Sequence, residues 1–164
     1  MKVLVAGASG AIGRQLVPTL SAAGHEVVGL ARSTSATATL AVDALDRDAL
    51  VAAVRKVAPD AVVNMLTAIP ARLNPRQMPE QFALTNRLRT EGTHNLLAAA
   101  AQSGARRIIA QGVAFAYEPG DSPADEETPL WPRPPAPFAS SLTALRELEA
   151  MTTRPRPRRL PDTH

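Results

Sequence analysis

VLVAGASGAIGRQL, residues 3–16, joins an apolar run to a glycine-spaced turn and an amphipathic pattern. Val3, Leu4 and Val5 make a short apolar run, the mark of a buried strand. Gly7, Gly10 and Gly13 follow in the spacing G-x-x-G-x-x-G. Ile12, Leu16, Val17 and Leu20 then recur at helical intervals, which predicts a helix from Ala11 to Ala23. Each glycine has a task in such a strand–turn–helix. Gly7 allows the tight turn, Gly10 lets the backbone approach a pyrophosphate, and Gly13 lets the helix settle on the sheet without a Cβ. Free N–H groups at the helix start then face the phosphates. The stretch therefore predicts a dinucleotide site that includes Gly7, Gly10, Ala11, Ile12 and Gly13. The bland alternative is a tight turn beside an empty crevice.

Working outward, strand and helix patterns alternate. Strands are predicted at 2–7, 25–31, 39–43, 60–66 and 106–112. Asp46 is a good N-cap for a helix ending near Val57, with Leu50, Val51 and Val54 on its inner face. The segment from Pro79 to Gly104 reads as one long helix, with Phe82, Leu84, Leu88, Leu96 and Leu97 as candidates for burial. Near-continuous apolar strands joined through helices imply a parallel sheet covered on both faces. The predicted fold class is α/β, a Rossmann-like doubly wound parallel sheet with strand order 3-2-1-4-5. Residues 118–138, rich in proline and acid, read as a long loop, and a last helix is predicted at 139–151. The domain is expected to occupy residues 1–151. An Arg/Pro-rich tail, 152–164, is expected to be disordered because its prolines cannot continue a helix.

The end of the second strand bears on the choice of cofactor. An acidic residue there would bind the ribose 2′-hydroxyl of NAD. Ala31, Arg32 and Ser33 stand in its place. Arg32 can pair with a 2′-phosphate through a charge-assisted fork, and Ser33 or Thr34 can add hydroxyl donors. The expectation is NADP in preference to NAD. The alternative is a solvated arginine on a loop.

Composition narrows the class. The 164 residues suit one domain, and aromatics make up only 3%, so the core is expected to be aliphatic. No cysteine is present, which removes disulfides, thiolate metal sites and a cysteine nucleophile. His25, His94 and His164 lack metal-ligand spacing. The net charge of +3 resides in the last residues, where Arg154, Arg156, Arg158 and Arg159 face only Asp162. The rest is neutral, so no nucleic-acid partner is expected. Neither a signal peptide nor a membrane span is evident, and a cytoplasmic location is the default expectation.

Four pieces carry a family resemblance: VAGASGAIG at 5–13, VDALD at 42–46, NRLRTEGTHNLLAAA at 86–100 and RRIIAQGVAFAY at 106–117. With them the chain resembles the short-chain dehydrogenase/reductase superfamily, in its extended branch, the NAD-dependent epimerase/dehydratase family. The resemblance implies that Asp43 accepts from the adenine amino group, with the Ala44 backbone beside it. It implies that Thr67 and Ala68 lie along the cofactor ribose and that Asn86 helps to organise the active site. Asp43 as a turn residue and Asn86 as a backbone partner are the plainer readings.

The chain departs from the family where its chemistry normally sits. Val113 stands where a Ser or Thr is expected after strand five. Phe138 and Leu142 occupy the positions of the Tyr-x-x-x-Lys pair, and neither can transfer a proton. No catalytic residue is therefore assigned. Three readings stay open. One is an oxidoreductase that transfers hydride on a carbonyl or sugar-like substrate. The second is a non-catalytic dinucleotide-binding or redox-sensing module. The third is an inactive truncated product, because the C-terminal substrate-binding part of the extended members is missing. Strand five is then expected at an open sheet edge, which a homodimer could cover.

Overall fold

The computed structural model describes residues 1–121, 123–125 and 127–153. Five strands form one parallel sheet: β1 (Lys2–Ala6), β2 (Glu26–Ala31), β3 (Leu40–Ala41), β4 (Ala61–Asn64) and β5 (Arg107–Ala110). Their order is β3-β2-β1-β4-β5. β1 lies at the centre, with Val5 opposite Gly29 on one side and Val63 on the other. The sheet is the one the alternating pattern predicts. Its strands are shorter than predicted, in proportion most at β3, which keeps two paired residues.

Five helices complete the domain: α1 (Gly13–Ala22), α2 (Arg47–Val57), α3 (Met78–Arg87), α4 (Thr93–Ser103) and α5 (Ala136–Thr153). Side chains of β1 alternate between two cores, as the pleat requires. Leu4 and Ala6 face α2 and α4, meeting Leu50, Val54, Leu96 and Ala100. Val3 and Val5 face α1, whose Leu16, Val17 and Leu20 close that side. A third cluster lies under α5, where Leu142 and Leu145 pack with Ala116 and Trp131.

Local signals explain most boundaries. Asp46 caps α2 by accepting from the Ala49 N–H at 3.1 Å. Gly104 ends α4 in the left-handed region. α1 begins at Gly13, later than predicted, because residues 7–12 are spent on the turn; Ile12 is left 48% exposed. The predicted helix over 79–104 runs without interruption from Met78 to Ser103, but it is not uniform. A π-helical turn, Leu88–Gly92, separates α3 from α4. Leu84 is exposed rather than buried. Thr85 takes the inner position instead, since its hydroxyl accepts the Ala68 N–H at 3.0 Å. The last helix starts at Ala136, inside the segment expected to be loop, and reaches Thr153, two residues past the expected domain end. Residues 154–164, most of the expected tail, lie outside the described residues.

Candidate functional site

The strand order reverses between β1 and β4, and the carboxyl ends of the strands open there into a groove. Such switch points are where open α/β sheets bind ligands. The glycine turn forms one wall with Gly7, Ser9 and Gly10, and the end of β2 adds Leu30, Ala31 and Arg32. Val42, Asp43 and Ala44 follow β3, while Met65, Leu66 and Thr67 follow β4.

The turn is held by the sheet. Gly7 and Ala8 both donate their N–H to the Leu30 carbonyl, at 2.8 and 3.1 Å. Gly7 has φ +86°, a region that L side chains rarely adopt, and a Cβ there would collide with the Met65 carbonyl. Gly13 is the close approach: a Cβ would run into the Gly7 carbonyl and the Ala8 backbone. Gly10 is different. A Cβ there would meet only the Gly7 carbonyl at 3.2 Å and would otherwise stand in the groove. Among the described residues, the N–H groups of Ala11 and Ile12 have no backbone acceptor. Open space over Gly10 and free donors at the start of α1 fit a pyrophosphate.

The far end of the groove is set by two fastenings. Asp43 accepts the Leu45 N–H at 2.9 Å through Oδ1, so it is a turn residue as well as a wall of the groove. Asn95, buried on α4, donates to the Ala44 carbonyl at 3.0 Å and pins the loop after β3. Arg32 is exposed at the rim and carries no ion pair among the described residues.

Of the residues predicted from sequence, Gly7, Gly10, Arg32, Asp43, Ala44 and Thr67 come together in this groove. Gly13 supports it from beneath. Ser33 is exposed beyond the rim, and Ala68 packs toward the core. Asn86 faces α5 instead, where Nδ2 donates to Ser140 Oγ at 3.4 Å and Oδ1 is buried without a partner. Ser9 also lines the groove, as does Leu88, which the apolar pattern marks only for burial. Ser9 had a visible signal, its place inside the glycine spacing.

A second, smaller pocket continues from the first, sharing Leu66 and Thr67 with it. It lies between the carboxyl ends of β4 and β5, with Asn64, Arg89 and Gln111 in its wall. Arg89, in the π-helical turn, is only 3% exposed, and its Nη1 is buried without an acceptor. Burial pushes its pKa down, though a guanidinium stays charged. Nothing in the sequence pattern marks it, because an arginine on a helix ordinarily reads as solvated.

The positions of the family's proton-transfer pair are filled with apolar groups. Phe138 lines a shallow cleft with Phe115, Tyr117 and Trp131. Leu142 is fully buried against Ala116 and Leu145. Val113 packs against the same cluster. Among the described residues, no group of three acidic or histidine side chains could hold a metal. No helix among them is long and apolar enough to cross a membrane.

Residues 3–154 match the model of the NAD dependent epimerase/dehydratase family, and the chain belongs to that family. A Streptomyces protein, 3-diazoavenalumate denitrifying reductase, is 47% identical over 157 residues, covering 92% of this chain and 51% of the relative. UDP-glucose 4-epimerase of Thermus thermophilus, in complex with NAD, superposes with a TM-score of 0.70 at 26% identity, over 92% of this chain and 50% of that one. A short-chain dehydrogenase/reductase superfamily protein of Agrobacterium tumefaciens with bound NAD gives 0.67 at 28%, over 92% and 44%. The chain thus spans about half the length of these relatives. The NAD complexes support a nicotinamide dinucleotide as the ligand of the groove.

Proposed function

We propose that this chain is the dinucleotide-binding part of a nicotinamide-dependent reductase that prefers NADP(H). The single observation that carries the reading is the gathering of Gly7, Gly10, Arg32, Asp43 and Thr67 around one groove at the switch point. Gly7, Gly10 and Gly13, with the N–H groups of Ala11 and Ile12, take the pyrophosphate. Asp43 and the Ala44 backbone take the adenine, and Arg32 with Ser33 takes the 2′-phosphate. Thr67 lies along the second ribose, with Ala68 packed behind it against the core. Asn86 acts from a distance, tying α3 to α5 through Ser140. When bound, the reduced cofactor supplies hydride.

The substrate reading follows from the side chains at the proton-transfer positions. Phe138 and Leu142 cannot donate a proton, so the hydride acceptor must need none from them. The Streptomyces relative is named as a reductase that removes nitrogen from a diazo compound. That class meets the requirement: a carbon-bound diazonium group plus hydride gives a C–H bond and N2, and no side-chain proton enters the balance. A carbonyl acceptor would instead draw its proton from water. A second reading, a dinucleotide-binding module without turnover, is favoured by the burial of Leu142 in the core.

Calorimetric titration of the chain with NADPH and NADH tests the proposal. Tighter binding of NADPH is expected, and Arg32→Ala should reduce the NADPH/NADH affinity ratio by about tenfold or more, the loss of one charge-assisted contact. An unchanged ratio overturns the role of Arg32, and binding of neither overturns the function. NADPH oxidation with a diazo substrate then separates the reductase from the silent module.

A further inference from the structure

We propose that Arg89 is the anion-recognising group of the substrate pocket, taking a carboxylate or phenolate oxygen at the inner end of the cofactor groove. This rests on the reductase reading above and names the charge its substrate carries. Arg89 is one of very few buried polar side chains in the domain and the only charged one among the described residues. A guanidinium cannot shed its proton to escape burial. A buried charge without a counter-charge is costly, so such groups are paired. Here none is present: no carboxylate among the described residues forms an ion pair with Arg89. Glu149, whose Oε1 approaches Gly112 in the same wall, does not pair with it either.

The place of the orphaned charge is informative. Nη1 belongs to a side chain that lines the small pocket between β4 and β5. The neighbouring polar group Asn64 is already committed, accepting from the Leu66 N–H and donating to Thr93. It offers Arg89 no charge. The pocket's volume of about 70 Å³ suits a carboxylate or a phenolate oxygen, not an aromatic ring. Its shared wall with the groove, Leu66 and Thr67, puts the anion beside the cofactor's path. Arg89 would bind the substrate through its anionic group and fix its reach toward the hydride. It would donate no proton, in keeping with the apolar Phe138 and Leu142 at the proton-transfer positions.

An oxyanion could come from the substrate or from the dinucleotide, and the test separates the two. Benzoate and its uncharged counterpart benzamide are titrated calorimetrically into the full chain, with and without saturating NADPH. The wild type should bind benzoate about tenfold or more tightly than benzamide. Arg89→Gln should abolish that preference, and Arg89→Lys should keep part of it through charge alone. Equal affinity in the wild type, or a preference that survives in Arg89→Gln, overturns the proposal. So does an Arg89→Gln variant that loses NADPH affinity while keeping the benzoate preference, since the anion then belongs to the cofactor. The wild-type comparison stands even if a variant fails to fold. Failure of NADPH to bind is a separate result, which sinks the reductase reading and not the anion pocket.

Discussion

Gly7 and Arg89 mark the two extremes of what single residues disclose. Gly7 was legible because its task is local. A left-handed φ of +86° at the exit of β1 leaves no room for a side chain, and the glycine spacing announces it. Gly7→Ala combines that unfavourable φ with a clash against the Met65 carbonyl. We expect a loss of at least about 2 kcal/mol of stability, read as a fall of several degrees in Tm. Wild-type stability would show that the turn can relax. Arg89 was illegible because its burial depends on partners far away in sequence, chiefly the ends of β4 and β5. Asn95 was equally silent, since its partner, the Ala44 carbonyl, lies 51 positions away. Apolar periodicity carries no information about which polar residues the fold encloses.

Among the elements, the strands, α2 and the helical run over α3 and α4 followed from pattern and capping, whereas the π-helical turn between them did not. The pattern of apolar residues over 79–104 predicts one continuous helix, and what widens its middle turn is polar. Thr93 Oγ1 donates to the Leu88 carbonyl five residues back, at 3.3 Å, and accepts from Asn64 Nδ2 at 2.9 Å. The widened turn is thereby fastened to the end of β4, and Arg89 is carried inward with it. Thr93→Val keeps the shape but strands the Asn64 amide. A cost of about 1–3 kcal/mol is expected. Urea unfolding measures it, and the same variant should weaken the benzoate preference if the turn positions Arg89. A Thr93→Val protein as stable as the wild type would mean that the widened turn stands without this bond.

At the scale of the molecule, strand order and cofactor groove were both readable, because alternation and handed crossovers leave few topologies. The substrate side was not, for the chain spans about half of its relatives. Among the described residues β5 is the outermost strand, and its Ile109 is 55% exposed. Pairing of a second copy along β5 is the self-association expected of such an edge. Ile109→Lys should block it, since an exposed charge on an edge strand resists pairing. Sedimentation velocity is the check: a wild type that stays monomeric at high concentration, or a variant that associates equally, removes the edge from consideration. Where an edge strand is completed by a second copy, part of the sheet's hydrogen bonding is held at a concentration, so dilution becomes a perturbation of the same kind as heat or urea.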